Sequence, residues 1–407
     1  MSRAVVVTGI GVVSPLGNDL HTFFDALMAG RPGLRRLDSA SGFDQPVVVG
    51  AADFDPSPWF SKLQLSGVDR VSQFAVAAAA MARTDAALDD VALDDAAVYF
   101  GTGMGGALAL EQAFAAHFSE RPRVSPLTVV ASMNNAAAGH IAMRFGIHGA
   151  VFTYSVACAS SAVAIGEAYR AVERGDVDIA IAGGAEALLT PGVVRAWQAM
   201  QTLASPEGDH PEAACRPFST DRSGLALAEG SAVLILESAE HAKARGARVY
   251  AELAGYGVSC DATHITKPDA AGQVRALRAA LRSANMQPSD IGYCNAHGTA
   301  TKVGDVVECE ALNMVWGDAI DQLVVGSTKS MHGHMLGGAG AIEAAITALA
   351  LHNKALPPTA NCTEQDPACA VRIVRDKGVP APELKAAISN SFAFGGSNAV
   401  LIFKQAH

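Results

Sequence analysis

The sequence predicts an α/β protein in which largely parallel sheets are covered by helices. Apolar runs of strand length alternate with Ala-rich segments of helical length along both halves of the 407-residue chain, which is typical of such sheets. Half of the residues are hydrophobic and 17% are charged, while Gly and Ala are abundant. This composition favours closely packed, extensively buried elements, and we expect an obligate oligomer with a large apolar interface.

The first half begins with a short strand over 4–8 and a helix over 21–29. Residues 31–58 are rich in Gly, Pro and Asp, and we expect an irregular surface insertion there. The remaining predicted elements follow in alternation: helices over 69–88, 108–118, 133–145, 159–173 and 190–199, and strands over 97–101, 151–156, 178–187 and 231–237.

The second half repeats this alternation and ends in two strands around a glycine turn. No residue-level repeat relates the two halves. The predicted strands cover 250–259, 292–295, 323–327, 384–391 and 398–403, and the predicted helices cover 273–284, 305–316 and 340–352.

Cys158 is predicted to lie at a turn between a buried strand and a helix. The run from Val151 to Val156 is apolar and β-branched, and the segment that follows Cys158 has helical composition. A helix N-terminus presents unpaired N–H groups and a partial positive charge. Both can stabilise a thiolate nucleophile and later an oxyanion. The alternative is a small core cysteine, the more common role of a cysteine in an apolar stretch.

Three further reactive side chains follow predicted strands or precede a predicted helix. His297 and Lys329 come directly after strands, and His334 precedes a glycine-rich helix start. Because ligands gather beyond the carboxyl ends of strands in α/β sheets, we expect one pocket. The residues allow a protease-like Cys–His pair, carbon–carbon bond formation with imidazoles holding an enolate oxygen, or ordinary structural roles. A metal site would need more ligands at tight spacing, and the sequence offers none.

Four segments in order carry a resemblance to a known family. They are the cysteine turn and the runs 295–301, 327–334 and 390–398, after a start at Val5–Gly11. The chain resembles the elongating Cys-His-His β-ketoacyl-acyl carrier protein synthases of the thiolase-like superfamily over essentially its whole length. The resemblance implies a duplicated five-layered α-β-α-β-α architecture. Residues 1–245 would carry the nucleophile, and residues 246–407 would carry both histidines and the lysine.

The same resemblance implies the roles of the central residues. Cys158 would take the acyl chain, and the backbone N–H groups of Cys158 and Phe394 would form the oxyanion hole. His297 and His334 would polarise the malonyl thioester while carbon dioxide leaves, and the resulting enolate would attack the acyl-cysteine.

Supporting and substrate-binding residues are also implied by the resemblance. Lys329 would order the site electrostatically through Glu308, and the phenyl group of Phe394 would act as a gate beside the thiol. Hydroxyls that meet the phosphopantetheine arm and a residue that lines the acyl pocket complete the implied site: Thr299, Thr301, Thr266 and Met104.

Departures from the family pattern leave the pathway open. Ala393 stands where glycine is usual, Ser397 where threonine is usual, and Lys302 where proline is frequent. The loop over 205–210 is acidic where many relatives are basic. The alternative to fatty acid elongation is therefore a type II polyketide or polyene ketosynthase, paired with a chain-length-type subunit. A non-catalytic homologous subunit would lack the nucleophile, and a thiolase would show a second catalytic cysteine, so both are disfavoured.

Composition sets the expected partners and compartment. The net charge is −10 and no basic cluster occurs, so we expect no nucleic-acid partner. Seven scattered cysteines without a C-x-x-C pair support neither a disulfide framework nor a zinc site. No apolar run reaches the ~18 residues of a membrane span, and the chain starts directly with a strand, so we expect the cytoplasm. The resemblance implies a dimer, with itself or a homologous subunit, that needs no bound cofactor because phosphopantetheine arrives on an acyl carrier protein.

Overall fold

A computed structural model describes residues 3–38, 42–120, 123–206 and 210–406, which leaves Glu207 to Asp209 of the acidic loop outside the described residues. The strands are β1 Val5–Val13, β2 Arg35–Leu37, β3 Val47–Gly50, β4 Ala97–Gly101, β5 Val151–Tyr154, β6 Ile179–Glu186, β7 Leu227–Ala228, β8 Gly230–Ser238, β9 Ala251–Cys260, β10 Tyr293–Asn295, β11 Val324–Gly326, β12 Ala355–Leu356, β13 Arg372–Ile373, β14 Val379–Pro380, β15 Ala386–Phe392 and β16 Ser397–Lys404. The α-helices are α1 Leu20–Met28, α2 Lys62–Leu65, α3 Arg70–Asp85, α4 Ala107–His117, α5 Thr128–Ser132, α6 Ala136–Phe145, α7 Ser160–Arg174, α8 Pro191–Ala199, α9 Ala239–Ala244, α10 Ala270–Ala284, α11 Gly304–Trp316, α12 Lys329–His332 and α13 Ala339–Asn353.

The main sheet contains the same strand order twice. Its first half runs β5-β4-β6-β8-β1, and its second half runs β11-β10-β15-β16-β9 with β13 at the far edge. In each half the order is third, second, fourth, fifth and first strand, and the first three of these pair in parallel. The halves join where β1 and β9 pair antiparallel. The duplication is therefore visible in the topology, although the residues do not repeat.

Helices cover both faces of each half and complete a layered α/β architecture. α7 and α13 pack against each other and against strands of both halves, within one buried cluster. α3 and α6 cover the other face of the first half, and α10 and α11 cover the other face of the second half. This arrangement confirms the thiolase-like fold class. No helix in the described part of the chain is long and apolar enough to span a membrane.

The two central helices approach closely because small residues line their contact. α13 is buried along nearly its whole length, as expected for a helix that is apolar on all sides. A Cβ atom at Gly340 would lie 2.7 Å from Cβ of Ala162 on α7. Glycine at this position therefore allows the close approach of α7, which begins directly after Cys158, and α13.

Two expectations from the sequence are wrong. The strand before Cys158 was expected to be buried, but Val151 and Phe152 are 38% and 50% exposed because β5 is the edge strand of the sheet. The segment 31–58 was expected to be an irregular surface insertion. Its β-branched run instead forms β3, which is buried and pairs with β2 and β7 in a small second sheet.

Candidate active site

Cys158 lies in a short 3-10 turn, Ala157–Ala159, between β5 and the start of α7. The turn is held by Ser160, whose hydroxyl donates to the carbonyl of Ala157 and accepts from the N–H of Val156. Ala157 has a φ of 49°, in the left-handed region that non-glycine residues seldom adopt. The turn thus directs the Cys158 side chain, which is 5% exposed, into a cavity.

His334 makes the direct contact with the thiol. Its Nε2 lies 3.1 Å from Sγ of Cys158, and its backbone N–H donates to the carbonyl of Ala226. The neighbouring His332, in the same sequence motif, bonds instead to Thr328 and to its own turn. Backbone geometry therefore distinguishes the site histidine from the structural one.

His297 follows β10 and faces the same cavity. Its ring lies 5.3 Å from that of His334, nearly perpendicular to it. The carboxylate of Glu308 accepts the backbone N–H groups of His297 and Gly298 at 2.8 and 2.7 Å, and the side-chain amide of Asn390 at 3.0 Å. Glu308 thus fixes the backbone that presents His297.

Lys329 is fully buried, and its ion partner differs from the expected one. The ammonium group forms a buried ion pair with Glu343 of α13, not with Glu308. Its Nζ also lies 3.4 Å from Nδ1 of His297. An ammonium group can only donate, so Nδ1 of His297 accepts this bond and Nε2 carries the ring proton. Lys329 therefore fixes the His297 tautomer.

Burial keeps the reactive groups neutral. Desolvation raises the pKa of the Cys158 thiol to about 12, although Lys329 and the backbone N–H groups of Phe394 and Cys158 act in the opposite direction. Burial, followed by the charge of Lys329, lowers the pKa of both His297 and His334 well below the usual range. A neutral thiol thus faces two neutral imidazoles.

Cys158, His297 and His334 also lie close enough together to be considered as ligands of one metal ion. The ligand atoms of Cys158, His297 and His334 lie within 4.8 Å of one another, although the sequence spacing did not indicate such a cluster. The ammonium group of Lys329 next to His297 opposes a bound cation. The hydrogen-bonded arrangement is better suited to acyl chemistry than to metal binding.

A cavity of about 400 Å³ connects these groups with the surface. The side chains of Thr299, Thr301 and Thr266 line it, as expected for contacts with a substrate arm. The ring of Phe394 also lines it and stacks on Trp197, with the ring centroids 6.1 Å apart. Met104 does not line this cavity; it is 45% exposed on the loop after β4. The single chain does not bring Met104 to the site, and its role remains a prediction.

Several supporting residues were missed by the sequence analysis. Glu343 is the one carboxylate in an otherwise apolar helix, a signal that it needs a buried partner. Glu186, at the buried end of β6, accepts N–H groups of Gly103, Met104 and Gly337. Because Gly337 follows shortly after His334, Glu186 connects the turn after β4 with the histidine segment.

The fold and the site define the class of protein. Two similar α/β halves bring a cysteine at a helix start together with two neutral histidines, one after β10 and one between α12 and α13, which is the arrangement of an acyltransferase of the thiolase-like class. The chain also matches the sequence profiles of the β-ketoacyl synthase N-terminal domain over residues 2–242 and of its C-terminal domain over residues 250–363. It belongs to the β-ketoacyl synthase family.

Full-length relatives agree with this family. The chain is similar to 3-oxoacyl-[acyl-carrier-protein] synthase 2 of Vibrio cholerae, with 38% identity over 99% of both chains. Among solved structures it is similar to the ishigamide ketosynthase/chain length factor, with a TM-score of 0.91 and 36% identity over the whole of both chains. A ketosynthase bound to the hexaketide, solved with its type II polyketide acyl-carrier protein, matches with a TM-score of 0.92 and 32% identity over both full lengths.

Proposed function

We propose that the protein is a β-ketoacyl-acyl carrier protein synthase that elongates acyl chains by decarboxylative condensation with malonyl units. The observation that carries the proposal is the contact of 3.1 Å between Sγ of Cys158 and Nε2 of His334, with His297 facing the same point. Names of full-length relatives support the substrate class. No bound cofactor is needed if the phosphopantetheine arm arrives on an acyl carrier protein.

In the first half-reaction, Cys158 attacks the carbonyl carbon of an acyl thioester. The thiol proton moves toward Nε2 of His334, the acceptor within reach, and finally to the departing pantetheine sulfur. The backbone N–H groups of Cys158 and Phe394, which both act to lower the pKa of the thiol, are the candidates to hold the developing oxyanion. The product is an S-acyl cysteine and a free carrier thiol.

In the second half-reaction, the malonyl thioester loses carbon dioxide and its electron pair moves to an enolate. Nε2–H of His297 is free to donate to the enolate oxygen, because Lys329 occupies Nδ1. After acylation Nε2 of His334 no longer accepts from a thiol, and its Nδ1 has no hydrogen-bond partner among the described residues. The single ring proton of His334 can therefore sit on Nε2 and be donated to the same oxygen. The enolate carbon then attacks the acyl-cysteine, which forms the β-ketoacyl thioester and releases the thiolate of Cys158.

The test separates the two half-reactions. Intact-protein mass spectrometry after incubation with acyl-carrier proteins should show one acyl adduct on the wild type and none on Cys158→Ala. Cys158→Ala should still release carbon dioxide from malonyl-carrier protein. His297→Ala should be acylated normally but should not release it. Full condensation by Cys158→Ala would overturn the nucleophile assignment, and equal loss of acylation in both variants would overturn the division of roles.

A second candidate keeps the chemistry and changes the pathway: a polyketide-type or polyene-type ketosynthase paired with a homologous subunit. Its support is the surface around β5, where Phe152, Val129, Met133 and Met143 are each at least half exposed, together with the similarity to the ishigamide ketosynthase/chain length factor. An apolar edge of this kind favours a dimer, with a second copy or with a homologue. Co-purification of a similar-sized partner would favour this candidate, and an active homodimer would favour the first.

The proposed chemistry also bears on the compartment. Cys158 must remain a free thiol between turnovers, which favours a reducing environment. We therefore propose the cytoplasm as the site of action. Oxidation of Cys158 in the protein isolated from its host under alkylating conditions would argue against it.

A further inference from the structure

The active-site cavity has a charged outer end. Lys267 and Lys302 line the same cavity as Cys158 and His297. Both lysines are exposed, whereas Cys158 and His297 are 5% and 8% exposed. The cavity therefore runs inward from two ammonium groups to the thiol.

The carboxylates near this end are engaged by other groups. Asp366 interacts electrostatically with Lys302, but its carboxylate accepts from Arg222 at 2.7 Å. Two acidic residues line the cavity within the described part of the chain, Asp261 and Glu308, and both are buried. Asp261 accepts from Asn398 at 2.7 Å, and Glu308 accepts the backbone N–H groups at His297. Both carboxylates are thus engaged elsewhere.

The two lysines have no ionic partner of their own among the described residues. Nζ of Lys302 contacts the carbonyl of Thr220 at 3.4 Å, and the nearest bond at Lys267 is made by its backbone. Neither ammonium group forms an ion pair in the described part of the chain. In a protein of net charge −10, such a pair of unbalanced cations at a cavity mouth is adapted to an anion.

The order of groups along the cavity identifies the anion. The hydroxyls of Thr299 and Thr301 lie 3.1 Å apart and both side chains line the cavity. Exposure increases from the buried Thr299 through the half-buried Thr301 to the exposed Lys302, so the hydroxyls lie deeper than the ammonium group. A phosphopantetheine thioester carries, in the same order, a thioester, two amides and a phosphate. We propose that Lys267 and Lys302 form a phosphate-binding mouth that holds the phosphate of this arm.

This inference rests on the proposed function and deepens it. We favour the phosphate as the ligand of the two lysines, over acidic side chains of a carrier protein, because both lysines line the cavity itself. Lysine ammonium groups bind phosphate as mobile point charges, and the interaction is screened by salt. The lysines would contribute to binding of the arm whichever acyl group it carries.

The experiment compares two small thioesters without any carrier protein: an acyl-pantetheine and the same acyl-4′-phosphopantetheine. Acylation of Cys158 is followed by intact-protein mass spectrometry, and kcat/KM is measured for each compound at low and at high salt. We expect the wild type to prefer the phosphorylated compound at low salt. Lys302→Gln and Lys267→Gln should each reduce this preference by about 1.5- to five-fold, the range for a solvent-exposed ion pair.

Lys243→Gln is the matched control, because Lys243 is also exposed but lies on α9 and does not line the cavity. It should leave the preference unchanged. An undiminished preference in the double variant Lys267→Gln/Lys302→Gln would overturn the inference. So would a loss seen only with acyl-carrier protein, run beside the two thioesters as a third substrate, which would assign the lysines to the carrier surface. A wild type that neither thioester acylates, while Cys158 still reacts with iodoacetamide, would overturn the proposed function itself.

Discussion

Removal of Glu343 should strongly destabilise the protein, because Lys329 would lose the carboxylate that balances its ammonium group in a fully buried site. Both side chains are fully buried, and among the described residues the ammonium group would retain the hydrogen bond to Nδ1 of His297 but no ion-pair partner. Breaking a buried ion pair by removing one partner costs about 3–5 kcal/mol. Against a total stability of about 5–15 kcal/mol, Glu343→Leu should lose a large share of the free energy of unfolding.

The control is the double variant Lys329→Met/Glu343→Leu, which replaces both charges by apolar groups of similar size. Replacing a whole buried pair is often nearly neutral, so the double variant should be more stable than either single variant. Urea unfolding of the wild type, Lys329→Met, Glu343→Leu and the double variant at a fixed protein concentration, followed by circular dichroism, gives the four free energies for a double-mutant cycle. Strictly additive losses would refute the reasoning that the cost arises from an unpaired buried charge.

The double variant also separates stability from chemistry. Without Lys329, neither nitrogen of His297 is favoured as the proton carrier, so a folded double variant should release carbon dioxide from malonyl-carrier protein more slowly. Acylation of Cys158 should be affected less, since His334 and the backbone N–H groups remain. Normal decarboxylation by the folded double variant would show that Lys329 does not set the tautomer.

Three further outcomes are expected. Burial raises the pKa of Cys158 to about 12, so its rate of alkylation by iodoacetamide should rise about ten-fold per pH unit from pH 6 to 9, as the thiolate fraction grows. Peptide mass spectrometry measures this rate, and a plateau near neutral pH would contradict the prediction. Arg222 is buried and donates to the carbonyls of Thr301 and Lys302. Arg222→Gln should therefore raise KM for pantetheine thioesters, and the conservative Arg222→Lys should raise it less. An unchanged KM would exclude a positioning role for Arg222. Gly340→Leu should prevent assembly of α7 against α13, whereas Gly139→Ala, where a Cβ atom meets nothing within 4 Å, should stabilise α6 by up to about 1 kcal/mol; thermal unfolding compares the two.

The predicted elements agree with the structure where the signal is local. Strand-length apolar runs and Ala-rich segments marked most strands and helices to within a few residues, since both patterns reflect the periodicity of burial. The position of Cys158 before α7 followed from the same signal. The resemblance then supplied the identity of His297 and His334, which periodicity alone left open against ordinary structural roles.

Position within a sheet could not be predicted in the same way. β5 is as apolar as a central strand, yet it lies at the edge of the sheet with Phe152 half exposed. Its composition reflects an apolar surface and not the core, a distinction that depends on strand order. Strand order depends on contacts between residues far apart in the chain, which one sequence does not contain.

Ion pairing between side chains that are distant in the sequence could not be predicted either. Glu308 and Glu343 both lie on helices close to Lys329, and both carboxylates are buried. Sequence spacing could not decide which of them bonds the ammonium group. In the structure, Glu308 is engaged by backbone N–H groups, which leaves Glu343 to balance the lysine. Satisfaction of buried polar groups therefore settles the assignment.

The duplicated topology explains why the two halves contribute different chemistry. Cys158 follows β5 and Lys329 follows β11, and these are the third strands of their respective halves. Equivalent positions thus hold a nucleophile in one half and a buried cation in the other, and α7 and α13 begin beside them. Since the cation is paired with Glu343 and the histidines are uncharged, these side chains offer no unpaired positive charge to hold the carboxylate of the malonyl group. Binding energy must then come from the pantetheine arm further out, and the carboxylate is brought into a site that favours its loss as neutral carbon dioxide.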